Sequence, residues 1–147
     1  MQYFIDTNIF LRSLYKENPK IFNECVDFIK AIKEKRLDAY TGTIILTEVV
    51  YTLKSFYNFE KYKIIQGLQG IINISGLKIL DNYNQLLALD LYEKYSIKYV
   101  DALIASMSEV YDKEMIVVSY DRDFDKLPIL AFTPGEVLKR EKLYKVK

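Results

Sequence analysis

The sequence contains no histidine, and this absence restricts the possible chemistry more than any other feature of its composition. Without an imidazole group, Ser-His-Asp and Cys-His hydrolysis, histidine-ligated zinc and imidazole acid–base catalysis are all excluded. Cys25 is the single cysteine, so an intrachain disulfide and a thiolate zinc cluster are excluded as well. An enzyme made from this chain must therefore use carboxylates, lysine, tyrosine or a metal ion held by oxygen ligands.

Long hydrophobic runs are also missing, since no stretch reaches the roughly 18 apolar residues that a membrane span needs. The first residues include no basic segment, and Asp6 interrupts their apolar run, which argues against a secretory signal peptide. We therefore expect a cytoplasmic protein. The net charge is only +1, so contact with nucleic acid would depend on local clusters of lysine and arginine.

Short apolar segments alternate with helical patterns along the chain. Its 147 residues are typical of a single domain, over 1–147, with one substantial core. Asn18 and Pro19 mark the start of one helix, Thr43 is expected to cap the next, and 99–113 is expected to form a single helix. The alternation predicts an α/β fold, with helices on both faces of a parallel sheet. Functional sites in such folds lie where the strands end.

Four isolated acidic residues stand at or near the ends of these elements: Asp6, Glu48, Asp101 and Asp121. Three of them have ordinary alternative roles. Asp6 could cap the first helix, Asp101 could favour a helix N-terminus, and Asp121 could be a turn residue. Glu48 is harder to explain in this way, because it lies in an otherwise apolar helix, where an acid must be paired, protonated or bound to something.

Taken together, the four acids indicate a metal site. Two carboxylates about 4 Å apart repel each other by about 4 kcal/mol at an effective dielectric near 20, so a cluster of them needs a cation. Oxygen ligands suit the hard divalent ions Mg²⁺ and Mn²⁺. Such ions activate water and stabilise the charge that develops during phosphodiester cleavage, so metal-assisted phosphoryl chemistry is the function that this set favours.

The same residues lie in motifs that resemble those of a PIN domain, in particular the VapC-type toxins of prokaryotic toxin–antitoxin pairs. The motifs are FIDTNIFL, TEVVYTL, VDALIASMS and VVSYDRDFDKL followed by TPGEVL, in the expected order along essentially the whole chain. The resemblance implies an α/β/α sandwich and a divalent-metal-dependent endoribonuclease that uses Mg²⁺ or Mn²⁺. It also implies a homodimer inhibited by a cognate antitoxin that occupies the active-site groove.

Carried over position by position, the resemblance assigns the catalytic and metal-binding roles to Asp6, Glu48, Asp101 and Asp121. It assigns supporting roles to the polar residues Thr7, Asn8 and Ser119.

Two further acids follow Asp121 in the segment DRDFDKL. Asp123 is expected either to approach the metal site, to orient its ligands, or to cap a short turn in which Phe124 packs into the core. Asp125 is expected to be solvated or paired with Arg122 or Lys126.

Binding of RNA would require cations near the site, and the sequence offers Arg12, Lys16, Arg122 and Lys126. The C-terminal tail, residues 139–147, is rich in lysine and could either touch phosphate or remain solvated. Three alternatives stay open: a housekeeping RNA-processing nuclease, a non-catalytic binding module and a phosphoacceptor receiver-like domain. The last would need adjacent acids after the first strand, where only Asp6 stands.

Overall fold

Five strands form one sheet that is surrounded by helices in this computed structural model, which describes residues 1–143. The last four residues of the predicted basic tail, 144–147, lie outside the described residues. The elements in chain order are β1 (Gln2–Ile5), α1 (Thr7–Leu14), α2 (Pro19–Lys33), β2 (Asp38–Thr41), α3 (Thr43–Ser55), α4 (Lys61–Ile72), β3 (Leu77–Ile79), α5 (Gln85–Lys94), α6 (Tyr99–Ser106), α7 (Ser108–Tyr111), β4 (Met115–Val118), β5 (Ala131–Phe132) and α8 (Pro134–Arg140). A 3-10 helix, Arg122–Lys126, lies between β4 and β5.

All strand pairs are parallel, and the strand order is β3-β2-β1-β4-β5. The chain moves outward from β1 to β2 and β3, then crosses back over the sheet to β4. Because such crossovers are right-handed, the outward and returning connections cover opposite faces. Helices α1 to α4 and α8 contact one another, and α5 to α7 form a separate group. The predicted α/β/α sandwich is therefore confirmed.

The central strands are apolar because they are buried in the core. Met115–Val118 is fully buried along its whole length, as expected for a parallel strand that is covered on both faces. Phe4 and Ile5 of the neighbouring strand β1 are equally buried. At the start of α2 the predicted cap is present, because the Asn18 side chain accepts hydrogen bonds from the backbone amides of Lys20 and Ile21.

The segment 99–113 forms two helices, so the prediction of one continuous helix was wrong. Met107 separates α6 from α7 with an extended backbone (ψ 133°) and a fully buried side chain. The Ser106 hydroxyl donates to the Leu103 carbonyl at 2.6 Å and accepts from the Asn84 amide at 3.0 Å. A side-chain hydrogen bond of this kind competes with the regular helical ladder, and here it accompanies the break.

The start of α3 also differs from the prediction, because Gly42 is the N-cap and Thr43 is already the first helical residue. The capping side chain comes from Asp81, which follows β3. Its carboxylate accepts from the backbone amide of Thr43 at 2.7 Å, from the Thr43 hydroxyl at 2.6 Å and from the Tyr83 hydroxyl at 2.7 Å. A residue distant in sequence thus holds the helix that carries Glu48.

Within residues 1–143, none of the helices combines the length and the apolar character that crossing a membrane requires.

We expect Gly42→Ala to destabilise the fold by about 1–3 kcal/mol, as overpacking typically does. A Cβ at this position would overlap the Tyr83 hydroxyl and lie 3.2 Å from both Asp81 Oδ1 and the Leu80 carbonyl oxygen. The matched control is Gly70→Ala in α4, where an added Cβ meets nothing within 4 Å. This control should gain up to about 1 kcal/mol from helix propensity. Urea unfolding measures both changes, and wild-type stability in Gly42→Ala would contradict the proposed role of the Asp81 cap.

Candidate functional site

The candidate site begins where the two central strands end. Ile5 of β1 is paired with Val118 of β4, and the Asp6 amide donates to the Val118 carbonyl at 3.0 Å. The residues that follow these strands, Asp6 and Ser119, are consequently neighbours. Both are buried.

The Asp6 carboxylate points to β4 and makes no capping hydrogen bond to α1 among the described residues, although Asp6 is the N-cap of that helix. Its Oδ2 instead accepts from Ser119 Oγ at 2.6 Å and from Asn8 Nδ2 at 3.3 Å. Burial raises the pKa of Asp6, against the lowering effect of the Ser119 hydrogen bond, and the nearby charge of Glu48 raises it further. The simple capping role is therefore not the role of this side chain.

Asn8 and Ser119 connect the two strand ends. Asn8 Nδ2 donates to Ser119 Oγ at 3.1 Å, and Asn8 Oδ1 accepts from the Tyr120 amide at 3.2 Å. Ser119 Oγ also accepts from the Asp121 amide at 2.9 Å. This network fixes the backbone that presents Asp121.

Glu48 lies half-buried on α3, where Thr7 Oγ1 donates to its Oε1 at 2.9 Å. The acid in the apolar helix is therefore partnered. Thr7 belongs to α1, which packs against α3. Thr7, the third predicted supporting residue, thus orients Glu48, whereas Asn8 and Ser119 donate hydrogen bonds to Asp6.

Three carboxylates come together at the centre of the site: Asp101, Asp121 and Asp123 each offer an oxygen within 4.8 Å of the other two. We call these residues the aspartate trio. Asp6 and Glu48 are not part of it, although the charge of Asp6 acts on Asp101. Asp123 therefore approaches the site, which was one of the alternatives left open by the sequence.

Asp101, in the first turn of α6, is the most deeply buried member of the trio. It is 2% exposed, and its Oδ2 is buried without a hydrogen-bond partner among the described residues. Burial raises its pKa to about 7; the charges of Asp6 and Asp121 act in the same direction, and Lys98 acts against them. A buried carboxylate oxygen without a partner is costly unless a cation or another donor reaches it.

The three aspartates of the turn after β4 have different partners. Asp121 Oδ1 caps the 3-10 helix by accepting from the Asp123 amide at 2.9 Å, so the capping residue is Asp121 rather than Asp123. Phe124 is fully buried, as predicted. Asp125 pairs with Arg122 at 3.6 Å, which is one of the two partners expected for it.

Two lysines stand beside the trio. Lys126 Nζ lies 2.8 Å from Asp123 Oδ1 and also donates to the Ser96 carbonyl at 3.0 Å. Lys98 Nζ lies 3.6 Å from Asp121 Oδ2. Partial burial lowers the pKa of Lys98, but the surrounding carboxylates outweigh this effect and raise it.

Lys98 was missed by the sequence reasoning, which singled out other cations. Of these, Arg12 pairs with Glu17 at 3.0 Å, and Lys16 lies over the Phe22 ring. The available signal was spacing, because Lys98 stands three residues before Asp101 at the start of a helix and therefore shares its helical turn.

The donor set fits a hard divalent cation. It consists of carboxylate oxygens from three residues, in a group that contains no imidazole or thiolate, and one of the three, Asp101, has a buried oxygen without a partner among the described residues. Mg²⁺ and Mn²⁺ favour such ligands. The aspartate trio would hold the ion, with Asp6 and Glu48 beside it.

Solved structures with the same fold extend across nearly the whole chain. PAE2754 from Pyrobaculum aerophilum superposes with a TM-score of 0.67 at 15% identity, covering 98% of this chain and 97% of that one. VapBC2 from Rickettsia felis, bound to a DNA fragment from its promoter, gives 0.62 at 21% identity, and a toxin–antitoxin complex from Klebsiella pneumoniae gives 0.60 at 20%. Both cover 90% of this chain and 98% of the compared chain.

A search of curated protein sequences gives no significant match. The PIN domain family model, by contrast, matches residues 3–130, which include all the acids of the site. The chain therefore belongs to the PIN-domain family.

Proposed function

We propose that this protein is a divalent-metal-dependent endoribonuclease and the toxin of a toxin–antitoxin pair. PIN domains are generally nucleases, and that broader assignment follows from the family. The choice of RNA, the dependence on Mg²⁺ or Mn²⁺ and the role as a toxin are our proposal. We also propose that it acts in the cytoplasm, where RNA is available.

The observation that carries the proposal is the aspartate trio with the unpartnered oxygen of Asp101. Carboxylates this close repel one another, and burial increases the repulsion because it removes solvent screening. A site of this kind is stabilised by a cation. Crowded acids at the carboxyl ends of parallel strands also lie where ligands bind in such folds.

A divalent ion bound there would polarise a phosphoryl oxygen and promote ionisation of a water molecule. Asp101, Asp121 and Asp123 would hold it, and Asp6 would add negative charge behind them from its position against Ser119. Glu48, oriented by Thr7, would accept a proton from the attacking water. These roles keep Asp101 and Asp121 as metal ligands and add Asp123, whereas Asp6 and Glu48, which the resemblance assigned to the metal, act beside it.

The toxin role is supported by two of the structural neighbours, which are a VapBC complex and a toxin–antitoxin complex. A homodimer is supported by the exposed face of α5, where Leu86, Leu89 and Tyr92 are 77%, 53% and 51% exposed at helical spacing. Apolar groups exposed on one helix face commonly mark a protein–protein contact. A receiver-like domain is not favoured, since its usual strand order, 2-1-3-4-5, differs from the order found here.

Millimolar Mg²⁺ or Mn²⁺ should raise the melting temperature, because the ion binds only the folded site; at a hundredfold excess over Kd the gain is about 2.7 kcal/mol. Asp101→Asn should lose most of this shift. The matched control is Asp90→Asn, at an exposed position on α5 outside the trio, which should keep the full shift. Differential scanning calorimetry with and without EDTA measures the effect. Equal metal shifts in Asp101→Asn and the wild type would rule out the trio as the metal site.

The purified protein should cleave single-stranded RNA in Mg²⁺ or Mn²⁺ and should stop when EDTA is added. Asp6→Asn and Asp101→Asn should each reduce the rate by at least about a hundredfold, since each removes charge from the reacting site. Asp90→Asn serves again as the control. Cleavage is followed on labelled RNA, with circular dichroism to show that each variant is folded. Full activity in both site variants would remove the catalytic assignment.

An antitoxin should bind this protein and inhibit it. A small reading frame beside the gene, encoding a DNA-binding fold with an acidic or amphipathic tail, is the expected source. Co-expression of the two should give a stable complex on size-exclusion chromatography, with loss of RNA cleavage. A neighbouring product that neither binds nor inhibits would favour the housekeeping nuclease.

A further inference from the structure

We propose that Lys98 is a substrate-binding residue, whose ammonium group lies against the carboxylates in the free protein and contacts a phosphate group when RNA is bound. This inference deepens the proposed function and rests on it. It gives a role to a cation of the site that sequence reasoning did not single out.

The position of Lys98 is the first argument. It is the N-cap of α6, and its side chain makes no capping hydrogen bond among the described residues. N-caps are normally serine, threonine, aspartate or asparagine, whose oxygen accepts from the first amides, whereas an ammonium group can only donate. A cation there is also opposed by the helix dipole. Residues that break a local structural rule are expected at functional sites.

The charges around Lys98 are the second argument. Its charge acts on the carboxylates of Asp6, Glu48, Asp101 and Asp121. Its Nζ lies 3.6 Å from Asp121 Oδ2, on the edge of the trio. A phosphodiester that approaches this cluster is repelled by it, so a cation on the same wall would offset part of the repulsion.

Of the other cations near the site, one is held by two short contacts and one faces a carboxylate outside the trio. Lys126 is engaged twice, with Asp123 at 2.8 Å and with the Ser96 carbonyl at 3.0 Å, so it ties the turn to the loop before α6. Arg122 is exposed and its contact with Asp125 is also loose, at 3.6 Å, but Asp125 lies outside the trio. Within residues 1–143, the ion pair of Lys98 is the 3.6 Å contact with Asp121, and 60% of its side chain is exposed. Its ammonium group can therefore move to a phosphate without breaking a short hydrogen bond.

The test measures RNA binding in an Asp6→Asn background, so that the RNA stays intact. The dissociation constant of labelled single-stranded RNA of mixed sequence is measured in Mn²⁺ over a range of NaCl concentrations. Lys98→Met should bind more weakly, and the slope of log K against log salt should fall by about 0.7, the value for one lost phosphate contact. Lys98→Arg should restore the slope. The control is Lys113→Met, at an exposed lysine before β4, whose slope should equal that of the parent.

Thermal unfolding in EDTA separates this role from a structural one. If Lys98 only neutralises the carboxylates, Lys98→Met will melt at a lower temperature but keep the parental salt slope, and the proposal is overturned. If the Asp6→Asn parent itself retains no RNA and the wild type cleaves none, the proposed function fails and Lys98 loses its role with it. Binding and cleavage by the parent proteins with an unchanged slope in Lys98→Met would remove the Lys98 assignment alone.

Discussion

The parallel pairing of β1 with β4 is the constraint on which the site depends. It sets Ile5 beside Val118 and so makes Asp6 and Ser119 neighbours, although more than a hundred residues separate them in sequence. A slip of one residue would turn the side chains that follow each strand to the opposite face. The apolar burial of β4 on both sides holds this register, because shifting it would expose the strand's core contacts. Core packing therefore positions groups that are themselves polar.

A network of hydrogen bonds orients the acidic side chains that follow these strands. Ser119 donates to Asp6 and accepts from the Asp121 amide, so one hydroxyl fixes a carboxylate on one strand end and the backbone of the next. Thr7, the first residue of the helix that follows Asp6, donates a hydrogen bond to Glu48 and so orients that carboxylate. Asp6 and Glu48 are held by neutral donors, whereas Asp123 forms a short ion pair with Lys126. Their negative charge is therefore only partly balanced by Lys98 and Lys126.

Local patterns predicted the elements well, because strand burial and caps such as Asn18 are encoded in short segments. They failed where a distant residue decides the outcome. Asp81 caps α3 from beyond β3, and the buried Met107 ends a helix that its sequence alone would continue. In the site, the four acids were predicted from their isolation and from family resemblance, and the structure places Asp101 and Asp121 in the trio with Asp6 and Glu48 outside it. Lys98 was not, because its spacing from Asp101 indicates one carboxylate neighbour at most and does not reveal Asp6, Glu48 and Asp121, which come from distant parts of the chain.

Burial of Phe124 has a consequence for how the turn after β4 receives a ligand. An aromatic ring locked in the core anchors the loop from beneath, so Asp121 and Asp123 are held near each other while Asp125 is directed to Arg122. If the proposed ion binds here, little backbone freedom would have to be lost, because the ligands are already assembled by folding. The affinity of the proposed metal site would then depend in part on an uncharged side chain.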